Sequence, residues 1–252
     1  MPERHSQRIS ILGVPVDDVT ESESVTIIHG FIQSGTTHQV ITVNPEFIMS
    51  AQTNSTVLRV LQSAHLSTPD GSGILWAARY LGHPLRERVT GVALVELLAS
   101  AAARHGWSMF FLGSAPGVAD RAARILQHRH PTLRVSGYYA GSPSLDDEAH
   151  IRSIIAATQT DILLVAYGHP AQELWIHRNQ QLLAIPVAIG IGGTFDELTR
   201  AVPPAPIWMH RLGIKWLWRL LIQPSRIGRI FTAVVRFPLA VIRAGRSSQI
   251  HR

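Results

Sequence analysis

Up to about residue 200 the chain alternates between short apolar runs of strand length and longer runs with helical spacing. The runs "ISILGV" (9–14), "HQVITVN" (38–44), "SMFFLGS" (108–114), "LRVSGYY" (133–139), "DILLVAYG" (161–168) and "VAIGIGG" (187–193) read as strands. Helices are expected over 22–35, from Pro45, and over 55–65, 73–82, 90–106, 117–130 and 145–158. Another is expected from Pro170, with a short one after Gly193. Strands that are apolar almost throughout must be covered on both faces, and a strand–helix–strand rhythm does this with a parallel sheet. The expected fold class is therefore α/β, with a mostly parallel sheet and helices on both faces. Ser144, with Asp147 three residues on, gives the 145–158 helix a capping-box-like start, and Asp146 and Glu148 suit its dipole.

A chain of 252 residues, 46% of them hydrophobic, can bury a core in one large domain plus an appendage. With no cysteine, disulfides, thiolate nucleophiles and cysteine-ligated zinc are excluded. No run reaches the ~18 apolar residues of a membrane span, and "MPERHSQR" lacks the apolar core of a signal peptide. A cytoplasmic location is expected.

The charge is divided unevenly. From Arg200 onward there are ten basic residues and no acid, against 13 basic and 17 acidic residues before it. "VPPAP" (202–206) marks the break, so we place a catalytic domain at 1–201 and a basic appendage at 202–252. On a helix spanning 226–236, Ile227, Ile230, Phe231, Val234 and Val235 share a face opposite Arg226, Arg229 and Arg236, with Trp208, Trp216 and Trp218 upstream. An apolar face with tryptophans and an arginine-rich back suits an anionic membrane surface. The same pattern also fits a helix packed on the domain with a solvated basic face. Without a membrane, a homo-oligomer would cover the apolar surface.

Ligands of such folds sit beyond the carboxyl ends of the strands, and six stretches end there. "TVNPEF" carries Thr42 and Asn44, which read either as site residues or as caps of the helix that follows, and "TPDGSG" carries Asp70. "RERVTG" carries Arg88. "FLGSAPG" brings Gly113 and Ser114 to a helix start suited to phosphate. "YGHPAQELW" holds Gln172 and Glu173, and "IGIGGTFDE" holds Gly192, Gly193 and Asp196. Asp70, between Pro69 and Gly71, reads either as a turn former and cap or as a base. "GIGG" is half a dinucleotide fingerprint but lacks the acid about 20 residues on that would hold a ribose. There is no P-loop, G-x-S-x-G elbow, H-E-x-x-H or D-x-D, and "HRH" (128–130) fits a helix end better than a metal site.

Together, "TVNPEF", "PDGSGI…AARYLG", "ERVTG", "FLGSAPGVADRAA", "GHPAQELWI" and "IGGTFDELT" resemble, in order, the bacterial WecG/TagA/CpsF glycosyltransferases, from about Ile11 to Arg229. The resemblance implies a Rossmann-like domain with a C-terminal appendage that meets the membrane. It also implies inverting transfer of a hexose or N-acetylhexosamine, of N-acetylmannosamine type or glucose, from a UDP-sugar to a polyprenyl-diphosphate glycan in envelope or exopolysaccharide synthesis. It makes Asp70 the catalytic base. Thr42 and Asn44 match residues near the reacting sugars. Arg88 and Gln172 match polar site residues. Asp196 matches a residue near the nucleoside, where a carboxylate can accept ribose hydroxyls. Arg211, Arg219, Arg226 and Arg229 are candidates for the lipid diphosphate or anionic headgroups.

No obligatory cofactor or metal is expected, since arginine and helix N-termini can meet the leaving-group charge. The expected place is the inner face of the cell membrane. Departures from the family pattern are Ser142 after Gly141, "PAP" (204–206), Lys215-Trp216 and Gln223-Pro224. A nicotinamide-dependent oxidoreductase and a nucleic-acid-binding protein are the rival readings. The first is disfavoured by the missing ribose acid. The second is disfavoured by the apolar face of the appendage, so no nucleic-acid partner is expected.

Overall fold

In the computed structural model, residues 7–200, Met209, 215–222, Pro224 and 227–245 are described. Six strands form one parallel sheet: β3 (His38–Val43), β4 (Leu66–Pro69), β5 (Ser108–Gly113), β6 (Arg134–Tyr139), β7 (Ile162–Ala166) and β8 (Val187–Gly190). Their spatial order is β4-β3-β8-β7-β5-β6. All four strands between the edge strands β4 and β6 are almost wholly buried, which is why they read as uninterrupted apolar runs.

Alternate residues of each strand feed opposite faces. On one face Val40, Met109, Phe111, Leu164 and Ile189 meet α1 (Glu21–Gln33), α5 (Gly91–His105), α6 (Val118–Arg129) and α9 (Thr194–Leu198). On the other, Ile41 and Val43 meet α2 (Pro45–Ala51), α3 (Ser55–Gln62) and α4 (Ser72–Tyr80). Farther along that face Phe110, Leu112, Leu163 and Val165 meet α7 (Leu145–Ala156) and α8 (Ala171–Leu183). Helix starts follow local chemistry. Thr20 and Glu23 make a reciprocal capping box at α1, and Asn44 caps α2 ahead of Pro45.

Three local expectations are corrected. "ISILGV" is not one strand. It spans the turn of an antiparallel hairpin, β1 (Arg8–Ile11) and β2 (Val14–Asp17), because Leu12 and Gly13 both take positive φ, 50° and 83°. At α7, Ser144 accepts from the N–H of Asp146 and makes no reciprocal box with Asp147.

The third correction falls in the appendage. Helix α10 (Lys215–Ile222) is followed by α11 (Ile227–Phe231), which runs through a π-helical turn, Thr232–Arg236, into α12 (Phe237–Ala244). The π-turn departs from the 100° spacing assumed for 226–236, while Ile227, Phe231, Val234 and Val235 of the expected face are all exposed. Phe237 and Val241 instead become the buried row, joining the core of α2 and α4. The boundary at 202–206, Trp208, Arg211 and Arg226 lie outside the described residues, as do the side chains of Trp216 and Arg219. Among the described residues no helix is long and apolar enough to cross a membrane.

Candidate active site

Each stretch singled out above emerges at the same edge of the sheet, and hydrogen bonds stitch the strand tips together. The N–H of Asp70, just past β4, donates to Val43 O at the end of β3 (2.7 Å). The N–H of Val89 donates to Pro69 O (2.9 Å), which pins the Arg88 segment beside Asp70. Asn44, Asp70 and Arg88 therefore leave three adjacent chain exits. Helix α4 starts after Gly71, whose φ of 105° needs a glycine, and Gly71 provides no side-chain cap. Asp70 precedes that cap position and is half-buried.

The next tips continue the row. Ile191 N–H donates to Val165 O (2.9 Å), and Ser114 N–H donates to Ala166 O (3.0 Å). Gly113 has φ of 102°, and a Cβ there would stand 2.8 Å from the Ala166 backbone, so β5 and β7 can separate into their turns only with glycine at this point. The Ser114 hydroxyl donates to Asp196 Oδ1 (3.2 Å), tying the β5 turn to α9. Gly91, at the start of α5, packs against the β8–α9 turn, where a Cβ would meet Thr194 Oγ1 at 2.9 Å. Gly192 and Gly193 lie in that same turn.

Thr42 and Gln172 lie beneath this rim. Thr42 is buried and its hydroxyl donates to Gly190 O (3.2 Å). Gln172 is 1% exposed, and its Oε1 accepts from Gly168 N–H (3.1 Å) and Gly192 N–H (2.9 Å). It thus clamps the β7–α8 and β8–α9 turns to each other. Arg88 lies within electrostatic reach of Glu21. Burial and the Glu87 carboxylate push the Glu21 carboxyl above its ordinary range, with Arg88 pulling the other way.

The structure adds His169, Ser50 and Glu46 to the site's surroundings and gives Glu173, noted in the sequence, its partners. Glu46, in the first turn of α2, accepts from Arg229 Nε (2.6 Å), with Nη2 at 2.6 Å from the same oxygen. Of the four appendage arginines proposed for phosphate, Arg229 is thus held at the mouth of the edge by an acid. Arg219 is known only as a backbone position on α10, and Arg211 and Arg226 lie outside the described residues. His169, Glu173 and Ser50 form a buried polar group behind Gln172. The sequence hint was "GHPAQE", whose His169 and Glu173 stand four apart, one helical turn. Among the described residues no group of three metal-ligating side chains is found.

A family model, the "Glycosyl transferase WecG/TagA/CpsF family", matches residues 9–250. The chain belongs to this family. It is accordingly a glycosyltransferase, and the row of strand tips is its candidate active site. Two curated relatives carry the name N-acetylglucosaminyldiphosphoundecaprenol N-acetyl-beta-D-mannosaminyltransferase. The one from Bacillus spizizenii is 32% identical over 209 residues, 83% of this chain and 80% of the relative. The one from Staphylococcus aureus is 30% identical over 228 residues, 90% of this chain and 89% of the relative. In this WecG/TagA/CpsF member the matched region includes every residue placed at the edge, from Thr42 to Arg229.

Proposed function

We propose that this glycosyltransferase moves an N-acetylmannosamine-type sugar, or a related hexose, from a UDP-sugar to N-acetylglucosamine on a polyprenyl diphosphate, with inversion. The observation that carries the reading is the convergence of Asn44 and Asp70, at the exits of two paired strands, with the loop of Arg88 pinned to the second of them. The activity that names the two relatives supports the acceptor class.

In this mechanism the Asp70 carboxylate takes the proton of an acceptor hydroxyl while that oxygen attacks the anomeric carbon. The bond from that carbon to the diphosphate oxygen breaks, and UDP leaves with the electron pair. Arg88 offsets the charge growing on the diphosphate. Asn44 orients the sugars, while Thr42 acts from below through the β8 tip. The turns Gly113–Ser114 and Gly192–Gly193 let backbone approach the nucleotide, and Asp196 accepts from ribose hydroxyls. The glycine turn ahead of α6 offers N–H groups and a helix dipole to phosphate. No metal is assigned a step.

The appendage would bring the site to the bilayer that holds the acceptor. Exposed Leu221, Ile227, Phe231, Leu239 and Ile242 on a segment without acids support this. The test is a transfer assay with N-acetylglucosamine-diphosphate-lipid in vesicles and a panel of UDP-sugars. Formation of a lipid-linked disaccharide with release of UDP is expected, and the best donor names the sugar. No transfer from any UDP-sugar, with thermal stabilisation by NADH or by an oligonucleotide instead, would overturn the reading.

A further inference from the structure

A continuous hydrogen-bonded chain runs under the candidate site and links parts of the molecule far apart in sequence. Gly168 and Gly192 N–H groups donate to Gln172 Oε1. Gln172 Nε2 donates to Glu173 Oε1 (2.6 Å), and Glu173 Oε2 meets His169 Nδ1 (2.8 Å). His169 Nε2 bonds the Ser50 hydroxyl on α2, and that hydroxyl donates to Phe47 O (2.9 Å). The His169 ring also stacks on Phe47 at 3.8 Å. The chain therefore starts at the glycine turn after β8 and ends on the helix that Asn44 caps.

Two features argue that the chain fixes geometry and does not merely fill space. First, its members are polar in an apolar setting: Gln172 and Glu173 are each 1% exposed and the His169 side chain 6%. Buried polar groups cost free energy unless fully paired, and a fully paired network holds a single arrangement. Second, the sheet makes room for them. A Cβ on Gly190 would lie 2.6 Å from Glu173 Oε1 and 2.7 Å from Gln172 Nε2, so the last residue of β8 is glycine where this pair packs beneath it. Thr42 Oγ1 donates to the carbonyl of the same Gly190, which closes the ring back to β3.

We infer that Glu173, His169 and Ser50 are positioning residues for the transfer reaction. They lock the Gln172 amide and hold α2, with Asn44 and Glu46, at a fixed distance from the β7–α8 and β8–α9 turns. This rests on the reading of the strand tips as the transfer site. Proton counting gives the role a specific signature. The one Ser50 proton goes to Phe47 O, so Ser50 accepts at the His169 contact and Nε2 carries a proton. Nδ1 and the Glu173 carboxylate, otherwise two acceptors, are then joined by a second proton between them, which an amide would bring as its own N–H. An amide at position 173 can then offer its carbonyl to Gln172 and its N–H to His169 Nδ1, so Glu173→Gln keeps the chain intact. Alanine at 173 breaks it.

The experiment compares Glu173→Ala, Glu173→Gln, His169→Ala and Ser50→Ala in the full chain. It measures thermal unfolding and kcat/KM for the UDP-sugar, with N-acetylglucosamine-diphosphate-lipid as acceptor and Asp70→Asn as reference. Misplacement of a site by about 1 Å costs up to about 10²-fold, and a loss of that order is expected for Glu173→Ala and His169→Ala. Ser50→Ala should lose less, and Glu173→Gln should recover most of the loss. If folded alanine variants melt earlier but keep wild-type kcat/KM, or Glu173→Gln is as impaired as Glu173→Ala, the inference is wrong. Should the 173 or 169 alanine variants fail to fold, Ser50→Ala and Glu173→Gln decide: wild-type activity in the first or collapse in the second overturns it. Wild-type activity in Asp70→Asn would instead overturn the site reading itself.

Discussion

The sheet domain and the C-terminal helices treat apolar side chains in opposite ways. In the domain nearly every Val, Ile, Leu and Phe of the six-stranded sheet is buried between helices. Among the described residues of Lys215–Ala244, Leu221, Ile227, Phe231, Val234, Val235, Leu239 and Ile242 are exposed, and Phe237 and Val241 are buried in the domain core. The charges divide the same way, with all 17 acids before Arg200. Any acid that pairs with an appendage arginine must therefore come from the domain, and Glu46 does this for Arg229. The contrast teaches that the described part of the appendage is fastened by a narrow contact. Several of its large apolar side chains are exposed.

Breaking that narrow contact should give the largest effect. Phe237 is wholly buried, and Phe237→Ala should cost the docked helix about 3–5 kcal/mol. Hydrogen exchange would show loss of protection over 227–245 with β3, β5, β7 and β8 unchanged. Uniform destabilisation of the sheet would mean that the helix is an integral part of the core.

Leu239→Ser with Ile242→Ser sharpens the comparison from the other side. Partitioning onto anionic vesicles should fall by about tenfold or more while the melting temperature holds. Unchanged partitioning would show that the exposed row is not the membrane footing.

Within the domain, Gly190→Ala should cost about 1–3 kcal/mol, because its methyl meets the Gln172–Glu173 pair under β8. A thermal melt checks this, and a neutral result would show that the pair can yield.

The smallest effect is electrostatic. The Glu21 carboxyl is raised above its ordinary value of 4.5 by burial and by Glu87. The folded state thus holds that proton more tightly than the unfolded state. The contribution favours folding below the ordinary value and is lost as pH rises through the folded one. Glu21→Gln should therefore raise the melting temperature slightly at neutral pH and leave it unchanged in acid. A fall at neutral pH would show that the attraction of Arg88 outweighs the repulsion.

The parallel sheet was legible because strands buried on both faces leave continuous apolar runs, as in "DILLVAYG". The edge carrying Asn44 followed from strand direction, whereas β4 (Leu66–Pro69), which brings Asp70 and the Arg88 loop beside it, was missed because its four residues "LSTP" give no apolar run. The hairpin at 9–14 was not legible, since Ile9, Ile11 and Val14 are buried on both sides of its turn and give one unbroken apolar signal. Nor was the π-turn, whose residues "TAVVR" suit an ordinary helix. The contacts behind the site were hidden for a different reason. Ser50 and His169 are 119 residues apart and Glu46 and Arg229 are 183 apart, and such pairings exist only once the sheet has brought α2, α8 and the appendage together. Of the site residues, Asp70 kept two local readings, and the family resemblance made it the base.

That assignment is the central claim, and Asp70→Asn tests it most directly. The variant and the wild type would be compared for transfer to N-acetylglucosamine-diphosphate-lipid, with melting temperature and UDP affinity measured alongside. The account predicts a loss of at least the 10²–10⁴-fold typical of a removed general base, with fold and UDP binding retained. Turnover close to wild type would contradict it and return Asp70 to the role of a turn residue.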